Sequence, residues 1–522
     1  MIKYLYSASL FICFNLLCPA LFAQPKYEFR GVWVATVDNI DFPSAKFLNS
    51  ESQKAEFINL LDMNKRNGMN AMVVQIRPAA DAFYASPYEP WSEWLTGVQG
   101  KPPSPYYDPL QFMITETHKR GMEFHAWMNP YRAVFNINKS SIAPDHITKL
   151  HPDWFINYGT VKYFDPGNKD VQRYVTSIVK DVVSRYDIDA IHFDDYFYPY
   201  RIAGKEFYDT ASYRKYGNGM DKETWRRSNV DSIIWMLGHA IKRVKPYCKF
   251  GISPFGVWRN IGQDADGSDT KAGQTNYDDL YADILLWLRK GWIDYVAPQL
   301  YWEIGNKIVG YEVLVDWWAR HTYGRQLYIG HGIYKTTETR SHAWRNREEL
   351  PNQIKLLRKY PQVQGSIYFS SSSFSGNPNG WNDSLRNNYY KYPAIVPPMN
   401  WIDSVKPPPP VISLDTSKVM IYDHFIDFYI RQDPVDSLVN RYVIYNFSDT
   451  SSINYSDPKN IFSIVESGEN YYHFNLDDLS QQKKIVIAIT SLTRTNNESL
   501  AGSYIYLERK ANGWHLVNHG RK

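Results

Sequence analysis

From about Glu28 to about Tyr392, short apolar runs alternate eight times with amphipathic stretches. The runs are Phe29–Val37, Asn70–Arg77, Glu123–Asn129, Ala190–Asp194, Lys249–Pro254, Asp294–Tyr301, Gln326–His331 and Gly365–Phe369. Each is rich in β-branched or aromatic residues, as strands of a sheet buried on both sides require. The intervening stretches carry a helical period. Val171, Tyr174, Val175, Ile178, Val179, Val182 and Val183 fall on one face, as do Phe57, Leu60 and Leu61 between Lys54 and Asn67, with Gly68 as a stop. Asp108-Pro109 is a cap followed by a first-turn proline, and Gly121 closes the helix that it starts. Eight alternations in roughly 365 residues predict an α/β chain folded as one closed parallel (β/α)₈ TIM barrel. A doubly wound open sheet would carry a glycine-rich phosphate turn after an early strand, and none is present.

Beyond the barrel the pattern changes. Pro397-Pro398 and Lys406-Pro407-Pro408-Pro409-Pro410 predict a stiff connector. Arg441–Phe447 and Lys484–Thr490 then read as strands among turn-rich segments with no helical period, which predicts a small all-β sandwich. The division is therefore residues 1–23 as a cleaved signal peptide, 24–396 as barrel, 397–410 as linker and 411–522 as sandwich. Truncation at about Pro398 is expected to leave a folded barrel. The signal reading rests on Lys3, the apolar core Leu10–Leu17 and the cleavage-like Leu21-Phe22-Ala23 before Gln24. Leu17 is bulky where a lipid anchor on Cys18 would want a small residue. The mature protein is expected to be periplasmic or secreted, with no membrane span.

Composition adds three constraints. Cys13 and Cys18 leave with the leader, so Cys248 stands alone and reads as a small apolar residue at a strand start. The formal charge of +4 is nearly balanced and gives no sign of a nucleic-acid partner. Phe, Trp and Tyr make up 16% of the chain, and flat amphipathic rings stack on sugar faces as well as filling cores.

In this fold, chemistry sits at the C-terminal ends of the strands. Those ends bring Arg77 and Asp81, then His125, Trp127, Asn129 and Arg132, then His192, Asp194, Asp195 and Tyr196. Later ends add Trp258, then Gln299, Tyr301, Trp302 and Glu303, then His331 and Tyr368. Alternation places His192 and Asp194 inside the barrel and Ile191 and Phe193 toward the helices. Glycoside hydrolysis needs two carboxyl groups flanking the bond, and Asp194 with Glu303 is the first pair, with Asp195 as substitute. The spacing of their strands leans toward room for a water between them and an inverting outcome. His192 reads as an orienter, and Arg77, Asn129 and Arg132 as holders of hydroxyl or acetamido oxygens. Neither His125 nor His331 has a closely spaced histidine partner, so no metal is expected there, and no cofactor is expected either.

Arg30-Gly31-Val32-Trp33-Val34, Gln75–Tyr84, Ala126–Arg132, His192–Pro199 and Pro298–Trp302 resemble the signature blocks of the bacterial glycosyl hydrolase-like 10 family. The resemblance implies a TIM barrel in the cell envelope with glycosidase activity on cell-wall or other amino-sugar glycans. The large retaining clan of TIM-barrel glycosidases carries a Glu at the end of strand seven, where Gly330-His331-Gly332-Ile333-Tyr334 has none. Ile485–Arg494 followed by Asn497-Glu498-Ser499 resembles the late strands of a fibronectin type III module. A polysaccharide hydrolase is thus the leading expectation. A glycan-binding barrel without turnover is the rival, and a metal-dependent deacetylase stands behind both.

Overall fold

The computed structural model describes residues 24–337, 341–413, 425–431, 438–467, 471–476, 479, 482–511 and 513–521; the expected signal peptide lies outside them. Eight parallel strands close into a barrel: β1 Phe29–Val34, β2 Ala71–Arg77, β3 Glu123–Met128, β4 Ala190–Phe193, β5 Lys249–Ile252, β6 Tyr295–Val296, β7 Gln326–His331 and β8 Val363–Tyr368. β1 pairs with β8 through Phe29 and Gly365, so no edge strand is left open. The outer layer is formed by α1 Ser50–Arg66, α2 Pro109–Lys119, α3 Lys169–Arg185, α4 Lys222–Val244, α5 Ile284–Lys290, α6 Tyr311–Arg320, α7 Glu349–Leu357 and the short α8 Trp381–Ser384. The Asp108 cap expected from the sequence is present, and α1 has a side-chain cap as well. Asn49 accepts from Ser52 N at the start of α1, and Asp108 accepts from Gln111 N at the start of α2. No helix among the described residues is long and apolar enough to cross a membrane.

Two layers of apolar packing follow from the pleat. Val32, Val74, Ile191, Phe193 and Ile252 face the helices, while Phe29, Trp33, Trp127, Tyr295 and Tyr328 fill the barrel interior. Gly251 on β5 is required by this inner filling, because a Cβ there would meet the Tyr295 ring at 1.9 Å. One feature is invisible in the hydrophobic pattern. Between β3 and α3 the chain forms an antiparallel sheet of Arg132–Val134, Phe155–Tyr158 and Val161–Phe164, which stiffens the loop carrying Arg132.

The C-terminal part is all-β, with a three-stranded sheet (Val411–Ser413, Phe425–Arg431, Tyr471–Asn475) and a five-stranded one (Val439–Phe447, Ile461–Glu466, Lys484–Thr493, Ser503–Lys510, Gly513–Arg521). It covers the N-terminal face of the barrel, and the proline connector is packed rather than free. Gln326 Nε2 donates to the carbonyls of Pro397 and Pro398 at 3.0 and 2.9 Å. Met399 is buried among Phe29 and Tyr328, and Trp401 Nε1 donates to Asp294 at 3.0 Å. Arg494 forms a fork with Asp187 at 2.7 and 2.9 Å. Arg441 and Asn496 reach Glu123, fully buried at the start of β3, at 3.2 and 2.9 Å.

The expected independence of the two cores therefore meets a polar interface built into the barrel floor. Truncation at Pro398 is expected to lower the thermal midpoint, with about 1.5–3 kcal/mol lost for each charged hydrogen bond removed from Glu123. Calorimetry of the full and shortened chains measures it, and equal midpoints would contradict this account.

Candidate active site

At the C-terminal ends of the strands lies a cavity of about 510 Å³, within the size range of sites that enclose a small ligand. Its walls are mostly rings: Trp33, Trp127, Phe135, Tyr196, Tyr200, Phe255, Tyr301, Trp302, Tyr334 and Phe369. Polar groups are few, namely Gln75, Arg132, Asp194, Ser253, Gln299 and Lys335. Rings with scattered hydrogen-bonding groups are the lining that a sugar ring, apolar on its faces and polar at its rim, would match.

Asp194 follows β4 directly and is the carboxylate that lines this cavity among the described residues. Trp127 Nε1 donates to its Oδ2 at 3.1 Å, Asn129 Nδ2 donates to the same oxygen at 3.0 Å, and Tyr196 N donates to Oδ1 at 3.4 Å. Burial pushes its pKa above the ordinary carboxylate value, while the nearby Arg132 guanidinium and these N–H donors pull it back. Arg132 forms no ion pair among the described residues; its guanidinium lies 5.0 Å from the Tyr196 ring centroid and 5.7 Å from that of Phe135. The cavity thus holds a carboxylate and a cation side by side, each facing aromatic walls.

Asp195 is buried behind the wall. Its Oδ2 accepts from the Tyr200 hydroxyl at 2.5 Å, and Gln299 also hydrogen-bonds to it. Burial is the largest cause of a pKa raised to about 7, with the Asp194 charge adding to it. Two neighbouring carboxyl groups therefore differ in setting, one facing the cavity among N–H donors and the other desolvated against a phenol.

Of the residues singled out from sequence, Trp127, Arg132, Asp194, Tyr196, Gln299, Tyr301 and Trp302 line the cavity, and Asn129 holds Asp194 from behind. Glu303, of the first expected carboxylate pair, does not line it. Beyond β6 the pairing runs on to Gln299, which bridges Phe255 and Gly330, and the alternation ends where the adjacent Tyr301 and Trp302 both line the cavity. The Glu303 carboxylate instead accepts from Asn306 Nδ2 at 3.2 Å. With that pair goes the geometric ground for an inverting outcome.

The other expected ligand-binding residues outside the cavity are engaged within the protein. Arg77 forms a buried fork with Glu89 at 2.7 and 2.6 Å and donates to Asn129 O, so it sets the loop that carries Asn129. Asp81 accepts from Ala79 N and Glu93 N at 3.2 and 3.3 Å and pins the loop after β2; burial lifts its pKa to about 7. His331 lies between Gln353 and Ser366 at 2.8 and 3.0 Å, and burial lowers its pKa to about 4. The Tyr368 hydroxyl meets that of Tyr390, and Trp258 stacks on Trp317 in the helix layer. His125 and His192 lie inside the barrel, below the cavity, against the Tyr295 hydroxyl at 2.9 Å each.

Several lining residues escaped the sequence reading. Trp33 lies between Val32 and Val34, so alternation on β1 was a usable signal. Ser253 follows β5 within the expected strand. Phe369 closes the expected run Gly365–Phe369 on the face of inward Ile367, whereas Tyr200 sits on a loop and Tyr334 and Lys335 on the short 3₁₀ turn Ile333–Thr337, where no period points inward. The thiol of Cys248 is buried, and burial pushes its pKa up to about 12. Among the described residues no cluster of three or more His, Cys, Asp or Glu side chains is placed to hold a metal ion.

Residues 28–345 match the family described as Glycosyl hydrolase-like 10. The chain is 44% identical over 489 residues to the glycosyl hydrolase YngK of Bacillus subtilis, covering 92% of this chain and 93% of that one. It is 40% identical over 376 residues to the glycosyl hydrolase DigH of Escherichia coli K12, covering 67% of this chain and 84% of that one. Among solved structures, the glycoside hydrolase domain of PgaB (BpsB) from Bordetella bronchiseptica aligns with a TM-score of 0.45 at 14% identity, over 70% of this chain and 99% of that one. Matched over more than half its length and by relatives of 40% identity or more across most of theirs, the chain belongs to the glycosyl hydrolase-like 10 family.

Proposed function

We propose that this protein hydrolyses a polysaccharide outside the cytoplasm, with an amino-sugar cell-wall glycan as the first candidate. The observation that carries the reading is Asp194: a buried carboxylate held by Trp127 and Asn129 where an aromatic-walled cavity opens at the barrel mouth. Stacking on rings such as Trp127 and Trp302 would hold the sugar faces, and Arg132 and Gln299 would hold ring substituents.

The pair that replaces Asp194 and Glu303 is Asp194 and Asp195. Asp195, raised to about 7, keeps its proton in mildly acidic solution and suits the acid role. Its proton passes to the glycosidic oxygen as the carbon–oxygen bond breaks, while ionised Asp194 stabilises positive charge at the anomeric carbon. Water then adds its hydroxyl to that carbon and returns a proton to Asp195. Tyr200 and Gln299, which line the cavity, stand between it and this acid, so proton transfer to the substrate requires the Tyr200 side chain to swing aside. A second reading, a glycan-binding barrel without turnover, draws support from the single carboxylate in the cavity lining among the described residues.

Asp194→Asn separates the two. Reducing ends released from purified cell-wall glycan strands are expected to fall by roughly 10²–10⁴-fold, with affinity for the strands retained. No release by the unaltered protein from a panel of glycans that it binds would favour the binding reading.

The pH profile probes Asp195. Activity is expected to fall as pH rises through about 7, because the acid then loses its proton. The Tyr200 hydrogen bond lowers the Asp195 pKa, so Tyr200→Phe is expected to move this alkaline limb to higher pH. A limb that stays in place, or moves down, would remove Asp195 from the acid role.

A further inference from the structure

Below the cavity a single file of buried polar groups runs down the barrel axis. Trp33 Nε1 and Ser253 Oγ, from two lining residues, meet His192 Nε2 at 3.2 and 3.0 Å. His192 Nδ1 meets the Tyr295 hydroxyl at 2.9 Å, and that hydroxyl meets His125 Nδ1 at 2.9 Å. His125 Nε2 meets Glu123 Oε2 at 2.9 Å. On the other oxygen of Glu123 converge Lys249 Nζ, Arg441 Nη2 and Asn496 Nδ2, the last two from the C-terminal β-module. Asn496 Oδ1 accepts from the same Arg441 nitrogen at 2.7 Å, so the module presents the two side chains as one unit.

The two ends of this file each have one hydrogen-bonding role, and that decides every proton between them. An indole N–H only donates, so His192 Nε2 must offer a lone pair to Trp33 and its proton must sit on Nδ1. Nδ1–H then donates to the Tyr295 oxygen. The Tyr295 O–H is left to donate to His125 Nδ1, and His125 Nε2–H donates to Glu123. An ionised carboxylate only accepts, so the file closes without a conflict. Ion pairing with Lys249 and Arg441 holds the Glu123 pKa well below the ordinary carboxylate value.

We infer that Arg441 and Asn496 are positioning residues for the cavity: by holding Glu123 as a pure acceptor they select, through His125 and Tyr295, the His192 tautomer that holds Trp33 and Ser253 beneath the substrate. The β-module is then part of the site's machinery although it lies at the opposite face of the barrel. The requirement for Gly251 has the same origin, since any side chain there would displace the Tyr295 ring that links the two histidines.

The test reads the histidine directly, so it stands whether or not the cavity proves to hydrolyse glycans. Imidazole ¹⁵N spectra of the full-length chain, labelled at histidine and assigned with His192→Asn, are expected to show one His192 species with Nδ1 protonated and Nε2 bare. Tyr295→Phe breaks the file at its centre and is expected to give both tautomers. Arg441→Met is expected to raise the second tautomer from undetectable to measurable, and Arg441→Lys to suppress it again. If Arg441→Met does not fold, Asn496→Ala removes the module's other donor and takes its place. In a Tyr295→Phe background the module substitution is expected to change nothing further, an outcome that general loosening of the fold would not produce. A proton on His192 Nε2 in the unaltered protein would overturn the inference. So would an unchanged tautomer in folded module variants, or a module effect that persists when Tyr295 is gone.

Discussion

A carboxylate taken out of water must find hydrogen-bond donors or give up its charge. Around Asp194 this constraint organises the whole mouth of the barrel. Its donors come from the end of β3 and the turn beyond it, Trp127 and Asn129, and from Tyr196 on its own loop. Asn129 can serve because its own oxygen accepts from Arg132 N at 2.7 Å and because Arg77, braced by Glu89, grips its carbonyl. The antiparallel sheet Arg132–Val134, Phe155–Tyr158 and Val161–Phe164 then fixes Arg132 beside the carboxylate. Buried charge costs stability, and the surrounding structure is arranged so that the cost yields a fixed, directed group.

The same logic holds at the other end. Glu123 is as deeply buried as Asp194, and its donors are drawn from β5 and from the β-module. Two carboxylates, one under the module and one at the mouth, bracket an interior of Trp33, His192, Tyr295 and His125 whose polar atoms are paired in sequence. The barrel and the β-module thereby share one polar interior, although each has its own apolar core.

Much of this was legible in the chain. The run Gln326–His331 coincides with β7, and the others differ from the observed strands by one to three residues at an end, apart from Asp294–Tyr301, of which only Tyr295–Val296 is strand. The inward placement of His192 and Asp194 followed from Ile191 and Phe193 facing the helices. Legibility ended where partners distant in sequence decide. Nothing near Arg77 shows that Glu89 will claim it, and nothing near His331 points to Gln353. A polar residue at a strand end looks the same whether it faces a ligand or a neighbouring loop. Glu303 lies outside the lining for another reason: the adjacent Tyr301 and Trp302 both line the cavity, so the period of two ends before Glu303. Tyr200 and Lys335 lie outside the strands, on segments whose paths no hydrophobic pattern encodes.

The central claim is that Asp194 and Asp195 act together on a glycosidic bond at this mouth. The most direct measurement is a crystal structure of the Asp194→Asn protein with an uncleaved cell-wall oligosaccharide. A sugar is expected stacked between the aromatic walls, its anomeric carbon against position 194 and its glycosidic oxygen within hydrogen-bonding distance of Asp195. An oligosaccharide bound elsewhere on the molecule, or with its glycosidic oxygens turned away from both positions, would contradict it.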